Sequence, residues 1–288
     1  PCVRCNQTVK FADLTALAAG LGCERLATGH YVRRIDGRDG PELHRAADLA
    51  RDQSWFLFAT TRAQLAVSLF PLGEIADKRT VRSEAERLGL PVAAKPDSQD
   101  LCFVPSGHYA DLAMRLRPDA GEPGDIVSRD GRVLGRHSGI AHYTVGQGKR
   151  LGTASMDRGQ RQMVLALDAD RRRVVIGPRG AGTRSARLRE MNWLIQEPTH
   201  PLVCQVKLRA RDELQSATVC PISGGYANVV FDAVTSPAPG QACVFYDGTR
   251  VLGGGMISRA AFPAMVDAGG ASRLSPVPSR PDGGVAQR

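Results

Sequence analysis

At Pro118 the texture of the chain changes, and that change constrains the fold more than any other feature. Upstream, helical and short extended stretches alternate. From Phe11 to Leu21 the apolar positions Phe11, Leu14, Leu17, Ala18 and Leu21 recur at helical spacing, with Gly22 where a C-cap belongs. Arg25–Tyr31 reads as a short strand entering a glycine turn, and Tyr31–Ile35 with Leu43–Ala46 as a hairpin across Asp36–Gly40. Asp52 can cap a helix carrying Trp55, Phe56 and Phe58. Asp77 opens another, with Val81, Ala85 and Leu88 inward and Gly89 closing it, and Ser106 caps a last one through Leu116. Downstream the pattern is short strands with Gly/Asp turns. Asp130-Gly131 between Ile126-Val127 and Val133-Leu134 predicts one hairpin, and Met163–Leu167 with Val174–Ile176 predicts a second. Cys204–Leu208, Ala217–Val219, Ala227–Phe231, Ala242–Tyr246 and Val251–Ile257 follow, with Asp247-Gly248 a further turn, which suggests a small barrel or sandwich. The break between the two β segments falls near Gly177–Thr183, and residues 263–288 are expected to form a disordered tail.

Charge follows the same division. The 288 residues carry 38 Lys+Arg against 29 Asp+Glu, a net +9, and residues 111–262 alone hold 21 against 14, or +7. A basic excess confined to one segment suggests a polyanion, most simply nucleic acid; a basic soluble protein without such a partner explains it equally well. Aromatics are only 5%, so RNA would be held through backbone and shape rather than stacked bases. With 42% hydrophobic and 23% charged residues, wholesale disorder and collagen are excluded. No apolar run approaches the roughly 18 residues of a membrane span. The chain starts at Pro1 rather than Met and is read as a piece of a longer one. Its seven cysteines (Cys2, Cys5, Cys23, Cys102, Cys204, Cys220 and Cys243) are odd in number and irregularly spaced, which points to a reducing cytoplasm rather than a disulfide framework.

Several segments could carry chemistry. Cys2-Val-Arg-Cys5 precedes the first predicted helix and has three readings: half a zinc site, a dithiol redox pair, or the home of one reactive thiol favoured by a helix N-terminus and Arg4. Lys95-Pro-Asp-Ser-Gln-Asp-Leu-Cys102 crowds polar groups before a cysteine, as functional loops do, or is an exposed loop before a core strand. In Ala27-Thr-Gly-His-Tyr31, Gly29 allows close ligand approach and His30 could donate to phosphate, although a lone histidine is more often structural. Arg51-Asp-Gln-Ser54 suits a phosphate backbone or an ordinary N-cap. Two decoys fail. Ser223-Gly-Gly225 lacks the aspartate and serine of an S-G-G-x-D-S loop, and Gly146-Gln-Gly-Lys-Arg150 lacks Walker spacing.

In order, these segments resemble the tRNA-specific 2-thiouridylase family. The matching landmarks are Pro1–Phe11, Ala27–Tyr31, Asp52–Leu57, Lys95–Phe103, Tyr143–Gln147, Pro239–Tyr246 and Gly253–Gly255, so the likeness spans roughly residues 1–258. It implies an α/β plus β architecture. An incomplete adenine-nucleotide α-hydrolase-like (PP-loop ATPase) domain at 1–117, without its ATP-gripping loop, precedes a β-rich tRNA-binding domain at 118–182 and a β-barrel at 183–262. It also implies a reaction: ATP, with Mg2+, adenylates the C2 oxygen of the wobble uridine, and sulfur arrives as a cysteine persulfide from a sulfur-donor protein, a cysteine desulfurase or sulfur relay. By resemblance Cys102 carries the persulfide and Cys5 is the nucleophile that cleaves it, freeing sulfide and leaving a transient Cys5–Cys102 disulfide. That requires their Cα atoms within about 7 Å at some stage. Arg4 and Lys95 are the candidate charges for thiolate formation. The likeness further implies that Gly29 contacts ATP. It gives tRNA contact to Pro1, Cys2, His30, Arg51, Asp52, Gln53, Arg209, Ala210 and Gln241. Cys2 and Ala210 depart from the usual residues, and Gly148 replaces an arginine that Lys149 and Arg150 could substitute. These residues alone are expected to carry sulfur and bind RNA without adenylating uridine. The rivals are a non-catalytic RNA-binding module and a zinc or dithiol protein using Cys2 and Cys5.

Overall fold

The computed structural model describes residues 2–95 and 109–258. Pro1, the segment with Cys102 and Ser106, and the predicted tail at 263–288 lie outside the described residues.

The chain opens in continuous helix. Helix α1 (Cys2–Cys5) runs through a π-helical stretch, Asn6–Asp13, into α2 (Leu14–Gly20), which ends at Gly22 with φ 74°. Cys2 and Cys5 therefore sit inside the first helical turns rather than before them; no residue there breaks a helix. A π-helix closes i→i+5 bonds, which puts Asn6 and Phe11 on one inward face, 4% and 0% exposed. The predicted apolar stripe beyond Phe11 does not pack. Leu14, Leu17 and Leu21 are 40%, 57% and 72% exposed, because the described sheet beside them has only two strands. Those strands are β1 (Leu26–Ala27) and, further on, the segment Ser68–Leu69, which pair in parallel. Strands β2 (Val32–Gly37) and β3 (Gly40–Arg45) form the expected hairpin. Then come α3 (Ser54–Leu57), α4 (Arg62–Val67) with a Thr61–Gln64 capping box, and β4 (Ser68–Leu69). Helix α5 (Lys78–Arg87) starts where Asp77 accepts from the Thr80 amide at 3.0 Å and ends at Gly89, φ 65°. Its expected inward residues find no partner either: none is fully buried, and Leu88 is 55% exposed. Helix α6 (Tyr109–Leu116) leads into the β region.

Five strands make the middle domain: β5 (Gly124–Ser128), β6 (Val133–His137), β7 (Met156–Asp157), β8 (Gln160–Asp168) and β9 (Arg173–Pro178), in the order β6-β5-β9-β8-β7. Both predicted hairpins are present, and a parallel β5–β9 pairing that local pattern does not encode joins them. Ile126, Val164, Val174 and Ile176 anchor a separate core.

The last domain is a closed antiparallel barrel of β10 (Thr183–Trp193), β11 (Leu202–Lys207), β12 (Gln215–Ile222), β13 (Tyr226–Thr235), β14 (Ala242–Asp247) and β15 (Arg250–Ile257). The order β10-β13-β12-β11-β14-β15 returns to β10 through a β10–β15 ladder. Strand β10 is absent from the sequence reading. Its inward Ala186 and Leu188 are hidden among four charges, Arg184, Arg187, Arg189 and Glu190, with the polar Ser185 and Asn192 between them. The β2–β3 hairpin extends this barrel sheet through the Arg250–His44 pair, so the first and last domains are not separate units. They share a core in which Val3, Phe11, Trp55, Leu57 and Phe58 pack with Val244, Tyr246 and Val251. Gly254 permits the contact: a Cβ there would stand 2.7 Å from Phe58 Cδ2 and 2.7 Å from the Cys243 carbonyl oxygen.

Candidate functional site

The first candidate residues surround the entry helix. Cys2 and Cys5 are half-buried free thiols, with Val3 between them sealed in the shared core. Arg4 does not turn its charge on Cys5. Its guanidinium pairs with Glu190 on β10 and donates to Gln7 Oε1 at 2.9 Å. Glu190 also pairs with Arg189 and stands at φ 53°, inside the irregular step of the β10–β15 ladder. The barrel thus grips the helix that carries the cysteine pair.

One turn further along, Lys10 reaches His30. Lysine has only protons to give, so Nζ donates to His30 Nε2 at 3.4 Å; the ring proton then sits on Nδ1 and goes to Thr28 Oγ1 at 2.9 Å. Burial, helped by the charge of Lys10, lowers the His30 pKa to about 4, so the ring is neutral at neutral pH. Only 8% of His30 is exposed. It reaches an RNA only after releasing Thr28 or Lys10. A cleft of about 450 Å³ opens here, lined by Lys10, Leu14, Leu26, Ala27, Thr28, Gly29, His30 and Gln53. That lies within the usual span for small-molecule sites. Gly29 is exposed at its rim, and a Cβ there would meet only Leu72, at 3.8 Å.

Asp52 is committed inward. Its side chain is 3% exposed. Oδ1 accepts from the Ala46 and Ser54 amides at 3.2 and 3.1 Å; Oδ2 accepts from Ser54 Oγ at 2.9 Å and Arg45 Nε at 3.3 Å. Gln53 Oε1 accepts from the Tyr31 amide at 2.9 Å. Of the triplet, Arg51 is the member left half-exposed with a cation, 3.9 Å from Asp48.

On the barrel, Arg209 is half-buried and donates to the Val145 carbonyl of the middle domain at 3.1 Å. Ala210 packs against the shared core, and the Gln241 side chain is exposed. Cys204 and Cys243 are interior. Burial pushes Cys204 up to about 12 and Cys243 well above the ordinary thiol value. Sequence reasoning misses Lys207, 4% exposed, whose Nζ donates to the Ala210 carbonyl at 3.4 Å and lies 6.0 Å from the Tyr246 ring centre. Burial lowers its pKa. No local signal marks a lysine whose burial depends on strands far apart in sequence. Among the described residues, no three His, Cys, Asp or Glu side chains converge as a metal site would require.

Three family models match in succession: the tRNA methyl transferase HUP domain at residues 1–106, the tRNA methyl transferase PRC-barrel domain at 115–178 and the aminomethyltransferase beta-barrel domain at 183–257. A tRNA-specific 2-thiouridylase of Gluconobacter oxydans is 57% identical over 263 residues, covering 90% of this chain and 73% of that protein. This chain belongs to the tRNA-specific 2-thiouridylase family. The family members of Acidiphilium cryptum (60% over 257 residues, 89% of this chain and 72% of that protein) and Rhodospirillum centenum (53% over 279 residues, 93% and 70%) agree. As a 2-thiouridylase family member, the chain has the HUP, PRC-barrel and β-barrel parts in the family's order, with its cysteine pair held at the junction of the first and the last.

Proposed function

We propose that this chain acts in the 2-thiolation of uridine in tRNA, as a sulfurtransferase that takes sulfur from a cysteine persulfide. The observation that carries the reading is the placement of the half-exposed Cys5 in a helix clamped between the nucleotide-type domain and the barrel, in a chain 57–60% identical to two 2-thiouridylases. Two of the domain models have methyl transferase descriptions; the relatives that align across all three domains are the better guide to the chemistry.

In this reading Cys102 holds a persulfide, Cys102–S–SH, delivered by a sulfur-donor protein. The Cys5 thiolate attacks Cys102 Sγ, forming a Cys5–Cys102 disulfide and expelling HS⁻. Hydrosulfide adds at uridine C2, already adenylated on oxygen; AMP leaves and the base keeps sulfur. A thiol reductant reopens the disulfide, as a reducing cytoplasm allows. The cleft at Gly29 is of a size to take the nucleoside of ATP, and Lys10 is its cation. No carboxylate lines it, so these residues do not supply ligands for Mg2+. Pro1, Cys2, Arg51, Gln241 and Arg209 are the tRNA contacts this reading favours, with His30, Asp52, Gln53 and Ala210 acting chiefly by holding the surface in shape. The 288 residues contain no S-G-G-x-D-S loop, and alone they are expected not to adenylate uridine.

Persulfide loading tests the reading. After incubation with a cysteine desulfurase and cysteine, peptide mass spectrometry should find one added sulfur on Cys102, and a Cys5–Cys102 disulfide on further incubation. The Cys5→Ser variant should keep the persulfide and lose the disulfide. Added sulfur on Cys220 or Cys23 instead, or none on Cys102, overturns it.

A further inference from the structure

We propose that Glu190, carried on a bulge of barrel strand β10, is a positioning residue for the Cys5 thiol: by holding Arg4 it fixes the first turn of the cysteine helix against the barrel. The inference rests on the reading that Cys5 is the thiol that attacks the persulfide.

The bulge lies in the β10–β15 ladder. Arg189 stands opposite Met256 and Asn192 opposite Gly254, so Glu190 and Met191 together face the single residue Gly255. An extra residue of this kind bends a strand and re-aims its side chains. Here both flanks of the bulge reach the first domain. Glu190 pairs with Arg4, which also donates to Gln7 Oε1 at 2.9 Å. Asn192 Nδ2 donates to the Phe58 carbonyl at 2.6 Å and to the Thr60 carbonyl at 3.1 Å, just beyond α3. Gly255 leaves the room this needs. A Cβ there would stand 2.5 Å from Met191 Sδ and 3.1 Å from the Arg189 carbonyl oxygen.

Two observations set Glu190 apart from an ordinary surface acid. The first is its backbone. Among the described residues it is the one non-glycine residue of the barrel at positive φ, 53°. Glycine adopts that conformation freely, so the side chain is present against the preference of its own backbone. The second is the packing beside it. A cavity of about 270 Å³ separates the cysteine helix from the bulge, with Val3, Arg4 and Gln7 on one wall and Glu190 and Met191 on the other. Close-packed side chains therefore do not hold the helix on this side; the Arg4–Glu190 bridge spans the gap. Val3, sealed in the shared core, anchors the same turn at one point, and the bridge supplies a second that stops it pivoting. At about 100° per residue, Cys2 and Cys5 fall on the face of the helix turned away from Val3 and Arg4. Glu190 thus acts on the thiol only through Arg4. An exposed ion pair adds little to stability. Attack on a disulfide-type bond depends steeply on alignment, so the placement of Cys5 is where the pair is felt.

The test loads Cys102 of the full chain with persulfide from a cysteine desulfurase and cysteine. Formation of the Cys5–Cys102 disulfide is then timed by quenched mass spectrometry, with urea midpoints measured alongside. In Glu190→Gly the rate should fall at least about tenfold, as misplaced reacting groups do. Loading of Cys102 should be unchanged, and the urea midpoint equal or higher, because glycine relieves the backbone. Arg4→Glu should be as slow, and the exchanged pair, Arg4→Glu with Glu190→Arg, should restore most of the parent rate. An unchanged rate in Glu190→Gly, a fall in rate matched by a fall in midpoint, or an exchanged pair as slow as the single variants overturns the positioning role alone. Absence of a Cys5–Cys102 disulfide in the loaded parent protein overturns the sulfur-transfer reading as well.

Discussion

The Tyr246 hydroxyl lies 3.2 Å from Ser54 Oγ, deep between the barrel and the first domain. Ser54 gives its own proton to Asp52, so Tyr246 is the donor, and the chain Tyr246–Ser54–Asp52–Arg45 ties β14 to the loop before α3. Burial holds the Tyr246 hydroxyl protonated far beyond physiological pH. Removing that hydroxyl in Tyr246→Phe should cost about 1 kcal/mol. Asp52→Ala should cost about 2–3 kcal/mol, since two amides, a hydroxyl and a guanidinium lose their acceptor together. Urea denaturation of both variants checks the order. An Asp52→Ala protein that loses tRNA affinity at unchanged stability would place Asp52 on the RNA rather than within the fold.

Gly254→Ala should separate the two domains. Its methyl would meet a backbone carbonyl oxygen and the ring of Phe58, both buried and neither free to retreat. Overpacking of this kind costs about 1–3 kcal/mol. Limited proteolysis should show faster cleavage in the first domain than in the parent protein, while the middle domain, with its own core, stays resistant.

The thiols should sort by environment. Cys204, pushed from 9.0 to about 12, has a thiolate fraction at neutral pH roughly a thousandfold below that of an unperturbed cysteine. It is also closed off inside the barrel, as is Cys243. In timed alkylation of the native protein read by mass spectrometry, Cys5, Cys2 and Cys23 should label first, and Cys204 and Cys243 only on unfolding. Early labelling of Cys204 would mean that the barrel opens readily.

Local signals account for much of what was legible beforehand. Asp77, Gly22, Gly89 and the Asp130-Gly131 turn each act on the residues beside them, and the structure uses each as the sequence indicates. What was illegible depends on distant partners. Nothing near His44 announces Arg250 across the sheet, and nothing near Val127 announces its parallel neighbour Val175. The apolar spacing of Leu14, Leu17 and Leu21 is a true helical signal, and only the surroundings decide that these side chains stay exposed. At the candidate site, residue types were readable but their commitments were not: Arg4 faces Glu190, and the carboxylate of Asp52 faces inward.

His30 should make the protein acid-sensitive. Its pKa falls from 6.5 to about 4 on folding, so between those values the unfolded chain binds a proton that the folded one refuses. The stabilisation is fully present above pH 6.5 and is lost as pH falls toward 4, by up to about 3 kcal/mol. His30→Gln keeps a hydrogen-bonding side chain without the titration. Denaturant midpoints measured from pH 7.5 to 4.5 should therefore fall less steeply for His30→Gln than for the parent. Parallel curves would show that the imidazole takes up its proton in the folded protein as easily as in the unfolded chain, and that burial beside Lys10 does not hold it neutral.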